Sequence, residues 1–225
     1  MLLKGKNALV TGSGAGIGRS IAIAMAREGA NVAVADINEQ AAQDTAEALQ
    51  AMGVKSRAFV VDIRQAEKLK AFVDDVESQL GPLDILVNNA GVTSTTPLPD
   101  MTPEEWDFVM DVNCRGTFFL SQAALTRMME RRRGRIINLG SISGERGARY
   151  AGAHYSVSKA GVIMITKVLA KYAADSGVTV NTISPGIIAT DMTKRLGTQV
   201  DPSDVPMNRM GTPDEVAQVA VFLAS

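Results

Sequence analysis

Tyr155 and Lys159, in the run Tyr155-Ser156-Val157-Ser158-Lys159, stand four residues apart. That spacing stacks two side chains on one face of a helix. An ammonium held beside a phenol favours the phenolate and lowers its pKa. A tyrosine tuned in this way trades a proton with an alcohol or ketone oxygen near neutral pH. The pair alone equally describes a surface helix whose tyrosine ring packs on a lysine stem, so its weight depends on the residues around it.

The second chemical feature is Thr11-Gly12-Ser13-Gly14-Ala15-Gly16-Ile17-Gly18, between a strand-like and a helix-like segment. Glycines let a backbone turn sharply and approach a pyrophosphate. The helix that follows offers free N–H groups and a positive dipole end. Tight packing alone would also explain such a turn, but its place between strand and helix favours a nucleotide. Asp36 closes the next strand-like run, about 20 residues past the glycines, where an acid binds the adenosine ribose hydroxyls. A carboxylate there repels the extra phosphate of NADP, and neither Ser13, Ala15 nor Ile37 supplies a countering cation. The cofactor expected is therefore NAD.

The elements that must position these groups alternate. Apolar runs at Asn7–Thr11, Asn31–Asp36, Arg57–Val61, Leu83–Asn88, Arg135–Leu139 and Thr179–Ser184 read as strands. Helical periodicity falls at Ile17–Glu28, Glu39–Met52, Gln65–Leu80, Pro103–Glu130, Ala153–Asp175 and from about Asp214 to Leu223. Thr102 and Pro103 form a helix start. The strands are continuous Val/Ile/Leu runs, the pattern of a parallel sheet covered on both faces. The expectation is one α/β domain with a doubly wound parallel sheet, the Rossmann arrangement. Thr190–Thr212 carries no clear period, and long loops in compact domains are usually functional.

Composition excludes several classes. A net charge of −1 removes the electrostatic hold that nucleic-acid binding needs. Arg131, Arg132 and Arg133 read as the solvated end of a helix, where positive charge suits the dipole. One cysteine, Cys114, and one histidine, His154, make neither a usual zinc site nor an internal disulfide. No metal is expected, and a cytoplasmic setting is. No segment has the length and apolarity of a membrane span or signal peptide. His154 reads as a polar residue at a helix start rather than a proton shuttle, because its neighbour Tyr155 points elsewhere. Cys114 reads as a small buried residue rather than a nucleophile.

With these pieces in order the chain resembles the short-chain dehydrogenase/reductase family over nearly its whole length. The resemblance rests on Gly12, Gly16, Ile17 and Gly18 in the turn, and on Asp62 in Val61-Asp62-Ile63. It rests also on Asn89, Ala90 and Gly91 in Asn88-Asn89-Ala90-Gly91, on Asn113, on Ser141, on Tyr155 with Lys159, and on Pro185-Gly186-Ile187-Ile188-Ala189-Thr190. It implies that Asp62 holds the adenine amino group and that Thr190 contacts the nicotinamide amide. It also implies a catalytic set of Asn113, Ser141, Tyr155 and Lys159. Aligning the motif from the strand side selects Ser141 over Ser143, with a one-residue insertion near Ala148–Ala151.

The activity implied is reversible hydride transfer between a nicotinamide cofactor and a secondary alcohol or ketone. Tyr155 acts as acid or base, Ser141 places the substrate oxygen, Lys159 tunes Tyr155 and binds the ribose, and Asn113 positions a water. Asp36 favours a small polyol or alcohol substrate over the alternative, a 3-oxoacyl-acyl-carrier-protein reductase. So does Ser176, which stands where some carrier-protein reductases have a second basic contact beside the one near Arg132. A scaffold that has lost catalysis is a further alternative, opposed by the intact catalytic set. The family continues past Ala224-Ser225 into another strand, so a seventh strand and half of the usual tetramer contact are expected to be missing, and the lid after Thr190 to be short. Apolar residues round more than one face of Pro103–Glu130 and Ala153–Asp175 predict at least a homodimer, with a homotetramer open.

Overall fold

Side chains on a strand alternate between faces, so a run apolar at every position needs cover on both sides. In the computed structural model, which describes residues 1–148, 150–195, 203 and 205–225, six strands, the inner four of them such runs, form one parallel sheet. They are β1 (Asn7–Thr11), β2 (Asn31–Asp36), β3 (Ser56–Val60), β4 (Ile85–Asn88), β5 (Gly134–Leu139) and β6 (Val178–Ile183), in the order β3-β2-β1-β4-β5-β6.

Helices cover both faces. On one lie α1 (Gly16–Arg27), α2 (Glu39–Gln50) and α9 (Pro213–Ala224). Ile21, Met25, Leu49 and Val221 of these helices pack on Val10, Val34 and Val87. On the other lie α3 (Leu69–Leu80), α5 (Thr117–Glu130) and α7 (Ala153–Tyr172). There Val73, Leu120, Met128 and Leu169 pack on Leu9, Leu86 and Ile136. The strand order reverses between β1 and β4, which leaves a crevice at their carboxyl ends, the place where ligands bind in open α/β sheets. The chain is thus a single doubly wound α/β domain.

The predicted helix over Pro103–Glu130 is three pieces. α4 (Pro103–Met110) starts at the Thr102 cap, whose hydroxyl accepts from Glu105 N at 3.2 Å. A π-helical turn follows over Asp111–Gly116, and α5 continues from Thr117. Two contacts favour the wide turn. Asn113 turns its side chain onto Val92, accepting from its N–H at 2.8 Å and donating to its carbonyl at 2.9 Å. Gly116 lies so close to β3's exit loop that a Cβ there would sit 2.8 Å from Ile63 O.

The predicted Ala153–Asp175 helix ends at Tyr172 and passes through a 3₁₀ turn, Ala174–Ser176, to Gly177 at φ 73. Two short helices, α6 (Ile142–Arg146) and α8 (Asp191–Arg195), fall where no element was expected. Each spans too few residues to show a period. The Asp201-Pro202 part of the expected lid, and Arg149 within the expected insertion, lie outside the described residues.

The arginine run at the end of α5 is not simply solvated. Arg131 donates to Leu83 O at 2.9 Å and pairs with Glu77 at 2.9 Å, Arg133 pairs with Asp84 at 3.3 Å, and Arg132 donates to Asp175 O at 2.8 Å. The acids and carbonyls at strand starts and helix ends meet the cations that the α5–β5 turn brings down to them.

Candidate active site

A cavity of about 830 Å³ opens at the carboxyl ends of β1, β2, β4 and β5. Its floor is the glycine turn. Gly12 has φ +62, and a Cβ there would come within 2.9 Å of Ala90 Cα. Gly18 does not line the cavity; a side chain there would strike the Gly12 carbonyl, so its role is to let α1 close on the turn. Gly16, at φ +54, faces the Thr190 methyl. Asn89 stitches the far side, donating to Thr11 O at 2.9 Å and Gly12 O at 3.0 Å, while the Asn89 and Ala90 N–H groups both reach Thr11 Oγ1 at 3.1 Å.

The geometry fits a dinucleotide. Ala15, the N-cap of α1, makes no side-chain capping bond, and the first turn holds no acid. Its N–H groups and positive dipole end therefore face the cavity mouth as an anion seat. Asp36 lines the cavity while its oxygens accept from Gly14 N at 2.9 Å and Asn38 N at 3.0 Å. A carboxylate oxygen has two lone-pair sites, so each keeps one for a hydroxyl. The cations lining the cavity among the described residues are Arg64 and Lys159. Both are engaged: Arg64 grips Asp62 through Nε at 2.9 Å and Nη2 at 2.5 Å, and Lys159 donates to Leu139 O at 2.6 Å. The Arg64 guanidinium holds the Asp62 carboxyl below the usual range. It also stacks over Phe108, 5.2 Å from the ring centre. No sequence pattern marked Arg64, although it follows Asp62 by two residues.

Ser141, Tyr155 and Lys159 meet on the opposite wall. Ser141 is the N-cap of α6, where it accepts from Ser143 N at 3.1 Å; Ser143 itself does not line the cavity. Lys159 is buried, its Nζ 5.8 Å from the Tyr155 ring centre. Burial lowers its pKa to about 8, with Cys114 opposing.

Tyr155 departs from expectation. Its pKa is raised, because burial of the phenol outweighs the hydrogen bond from Ser141. The lysine's charge lies over the ring, tied to the end of β5, rather than at the phenolic oxygen, so desolvation wins.

Asn113 is fully buried behind this wall. Beyond its two bonds to Val92 it donates to Ser158 Oγ at 2.9 Å. Gly91 keeps a gap open beside it: a Cβ there would lie 3.2 Å from Asn113 Oδ1 and 3.4 Å from Lys159 Nζ. Pro185, Gly186 and Thr190 line the outer rim with Ile17 and Gly16. The Thr190 hydroxyl accepts from Thr193 N at 3.3 Å, at the first turn of α8.

His154 stands at the helix start, as read, but it is wholly buried there. It bonds to the Thr93–Thr96 segment, which lines the cavity and carried no signal in the sequence. Cys114 is half-buried; burial pushes its thiol pKa up, and its Sγ lies against Gly161. Among the described residues no cluster of three or more metal-binding side chains occurs, and no helix is long and apolar enough to cross a membrane.

The family model described as enoyl-(acyl carrier protein) reductase matches residues 12–225. Among curated relatives, a 3-oxoacyl-[acyl-carrier-protein] reductase of Staphylococcus aureus is 42% identical over 98% of this chain and 91% of its own length. One from Vibrio cholerae is 42% identical over 100% of this chain and 92% of its own. A short-chain type dehydrogenase/reductase from Mycobacterium marinum superposes with a TM-score of 0.94 at 36% identity, covering 99% of this chain and 89% of that one. The chain belongs to the short-chain dehydrogenase/reductase family of oxidoreductases.

Proposed function

We propose that this protein reduces a 3-oxoacyl thioester to the 3-hydroxyacyl product with NADH, as one dinucleotide-binding catalytic domain in the cytoplasm. The observation that carries the substrate class is the 42% identity, over 98% of the chain, to a protein named for that reaction. This reverses the preference for a polyol drawn from the sequence.

The chain's residues divide the work. The α1 N-terminus with Gly12, Gly16 and Ile17 seats the pyrophosphate, and Asp36 takes the adenosine ribose hydroxyls. Asp62 with Arg64 lies at the adenine end. Asn89, Ala90, Gly91, Pro185, Gly186 and Thr190 line the nicotinamide side. When bound, the dinucleotide supplies the hydride that the carbonyl carbon accepts. Ser141 holds the carbonyl oxygen, and Tyr155 Oη gives it a proton, so that C=O becomes CH–OH. Lys159 orients the ribose and returns a proton to Tyr155 through water in the gap at Gly91. Asn113 fixes Val92, and with it that gap.

NADH rather than NADPH follows from Asp36 and from the two engaged cations. A second reading, a small secondary alcohol as substrate, is favoured by one observation. Ser176, adjacent to the Arg132–Asp175 contact, is buried and bonded to Ala173 O at 2.6 Å, so it offers an acidic carrier nothing. Steady-state rates with NADH decide between the two. Acetoacetyl groups on carrier protein and on a short pantetheine should both be reduced faster than any ketose. Turnover confined to polyols and their ketones would replace this reading with the second.

A further inference from the structure

His154 has no part in the chemistry above, yet every polar atom of its ring is committed. Its Nδ1 accepts the N–H of Tyr155 at 2.8 Å, so the ring proton resides on Nε2. Nε2 stands 3.0 Å from Ser94 Oγ and 3.4 Å from Glu105 Oε1. The Ser94 hydroxyl in turn donates to Glu105, and Thr96 Oγ1 donates to the same carboxylate oxygen at 2.7 Å. These hydroxyls hold the Glu105 carboxyl below its usual range, which keeps it an acceptor.

The donors therefore run one way, from Tyr155 N–H to His154 and from His154 through Ser94 to Glu105. This direction excludes a hydrolytic reading of the Ser94–His154–Glu105 group. A serine nucleophile needs a base that takes its proton, and here the facing nitrogen already carries one.

The group joins three elements. Ser94 and Thr96 belong to the loop after β4 and line the cavity; Glu105 sits in the first turn of α4; His154 precedes Tyr155 in the first turn of α7. A second tie runs beside it, from Gly152 N to Ser94 O at 2.9 Å. The imidazole also packs onto Gly152, where a Cβ would lie 2.7 Å from Nδ1. Removing the ring takes away the side-chain part of this tie and leaves the Gly152–Ser94 backbone bond.

We infer that His154 is a positioning residue: as a neutral ring protonated on Nε2, it locks the Ser94–Thr96 wall of the cavity to the helix turn that carries Tyr155. Its effect falls on the part of the substrate beyond the reacting carbonyl, because the pyrophosphate and ribose end of the dinucleotide seat is built from β1, α1 and β2, while Ser94–Thr96 lie past Asn89–Gly91 along the loop. The inference rests on the proposed reductase reading for its substrate, and on geometry alone for the lock.

The lock and the substrate are tested separately. Amide hydrogen exchange of the full chain without substrate reads the lock. In His154→Ala and His154→Asn, exchange at Gly152 and Thr96 should quicken by about tenfold or more, while β1 and β4 stay protected. His154→Gln keeps an N–H donor near the Nε2 position and should hold exchange within about threefold of the parent. Ser94→Ala removes the acceptor without touching the helix and should quicken exchange at Gly152 as His154→Asn does, Thr96 being left out because its N–H loses the Ser94 hydroxyl directly; this covers the case that His154→Ala does not fold.

Kinetics with NADH and acetoacetyl-pantetheine read the consequence. KM should rise about tenfold in the Asn and Ser94→Ala variants, with NADH affinity within about twofold and KM recovered in the Gln variant. Unchanged exchange in both His154→Asn and Ser94→Ala would overturn the lock. So would an equal loss of NADH affinity and of protection throughout the sheet. If no thioester is reduced, the reductase reading falls while the exchange result still decides the lock.

Discussion

Lys159 reaches back to the last residue of β5, its Nζ donating to Leu139 O at 2.6 Å, while the same ammonium lies 5.8 Å from the centre of the Tyr155 ring. The strand end thereby sets where the lysine's charge sits relative to the tyrosine. It places that charge over the ring face, and this leaves burial free to raise the Tyr155 pKa.

Tyr155→Phe removes the proton donor and little else. NADH affinity, measured by fluorescence titration, should stay within about twofold, and kcat for reduction should fall about a hundredfold or more. Near-normal turnover would remove Tyr155 from the proton transfer.

Lys159 gives a pH limb with a definite sign. Its ammonium has a pKa of about 8, so reduction should slow as pH rises through that value, and the limb should vanish in Lys159→Met, whose residual rate is low throughout. The same shift bears on stability. The folded pKa lies below the free value of 10.5, so the unfolded chain binds the extra proton between the two, and the parent gains stability as pH rises from about 8 towards 10.5. At pH 7 the buried charge costs about 3 kcal/mol. Met avoids that cost but orphans the Leu139 carbonyl, worth ~1 kcal/mol. Denaturant melts at pH 7 should therefore find the inactive Lys159→Met more stable by about 2 kcal/mol, with the advantage gone near pH 10. A less stable variant at pH 7 would contradict the assignment of a strained, buried ammonium.

Asp36 answers for cofactor choice. The parent should bind NADH about a hundredfold more tightly than NADPH, and Asp36→Ala should narrow that ratio to about tenfold or less. Because Asp36 also caps Gly14 N and Asn38 N, the variant should lose ~1 kcal/mol of stability as well. Equal affinity for both cofactors in the parent would overturn NADH as the coenzyme.

How much of this was legible in the sequence depended on periodicity and on whether a contact lies along the chain. The four inner strands were readable because buried parallel strands are continuously apolar, and Leu9, Val34 and Leu86 are each fully buried; β3 and β6, at the sheet edges, expose Arg57 and Thr179 and were readable from the β-α alternation. The glycine turn, Asp36 and the Tyr155–Lys159 spacing were readable because each is local. The π turn at Asn113 was not, since it depends on Val92 and Ile63 O, distant in sequence. The partners of His154 were not readable for the same reason: its neighbours along the helix say nothing of Ser94 and Glu105. The phenol's pKa could not be read from a four-residue spacing, because burial rather than charge sets its sign.

The outer face of α7 predicts assembly. Val157, Met164, Val168 and Tyr172 are 45%, 56%, 54% and 73% exposed and recur at helical spacing, whereas Leu120 and Val162 are spent in the core. Such a stripe is characteristic of a covered surface. Light scattering at micromolar concentration should give a dimer or larger, and Met164→Glu should shift the mass towards the monomer. A monomer mass for the parent would show that this face stays open.

The central claim is hydride transfer from the dinucleotide to the 3-carbonyl of a thioester. Incubating the protein with acetoacetyl-pantetheine and NADH deuterated at the transferring carbon, then weighing the product, tests it in one step. The account predicts a 3-hydroxybutyryl thioester bearing deuterium on the former carbonyl carbon, and none with Tyr155→Phe over the same time. Unlabelled product from both faces of the cofactor, or no product while a polyol is oxidised under NAD, would contradict it.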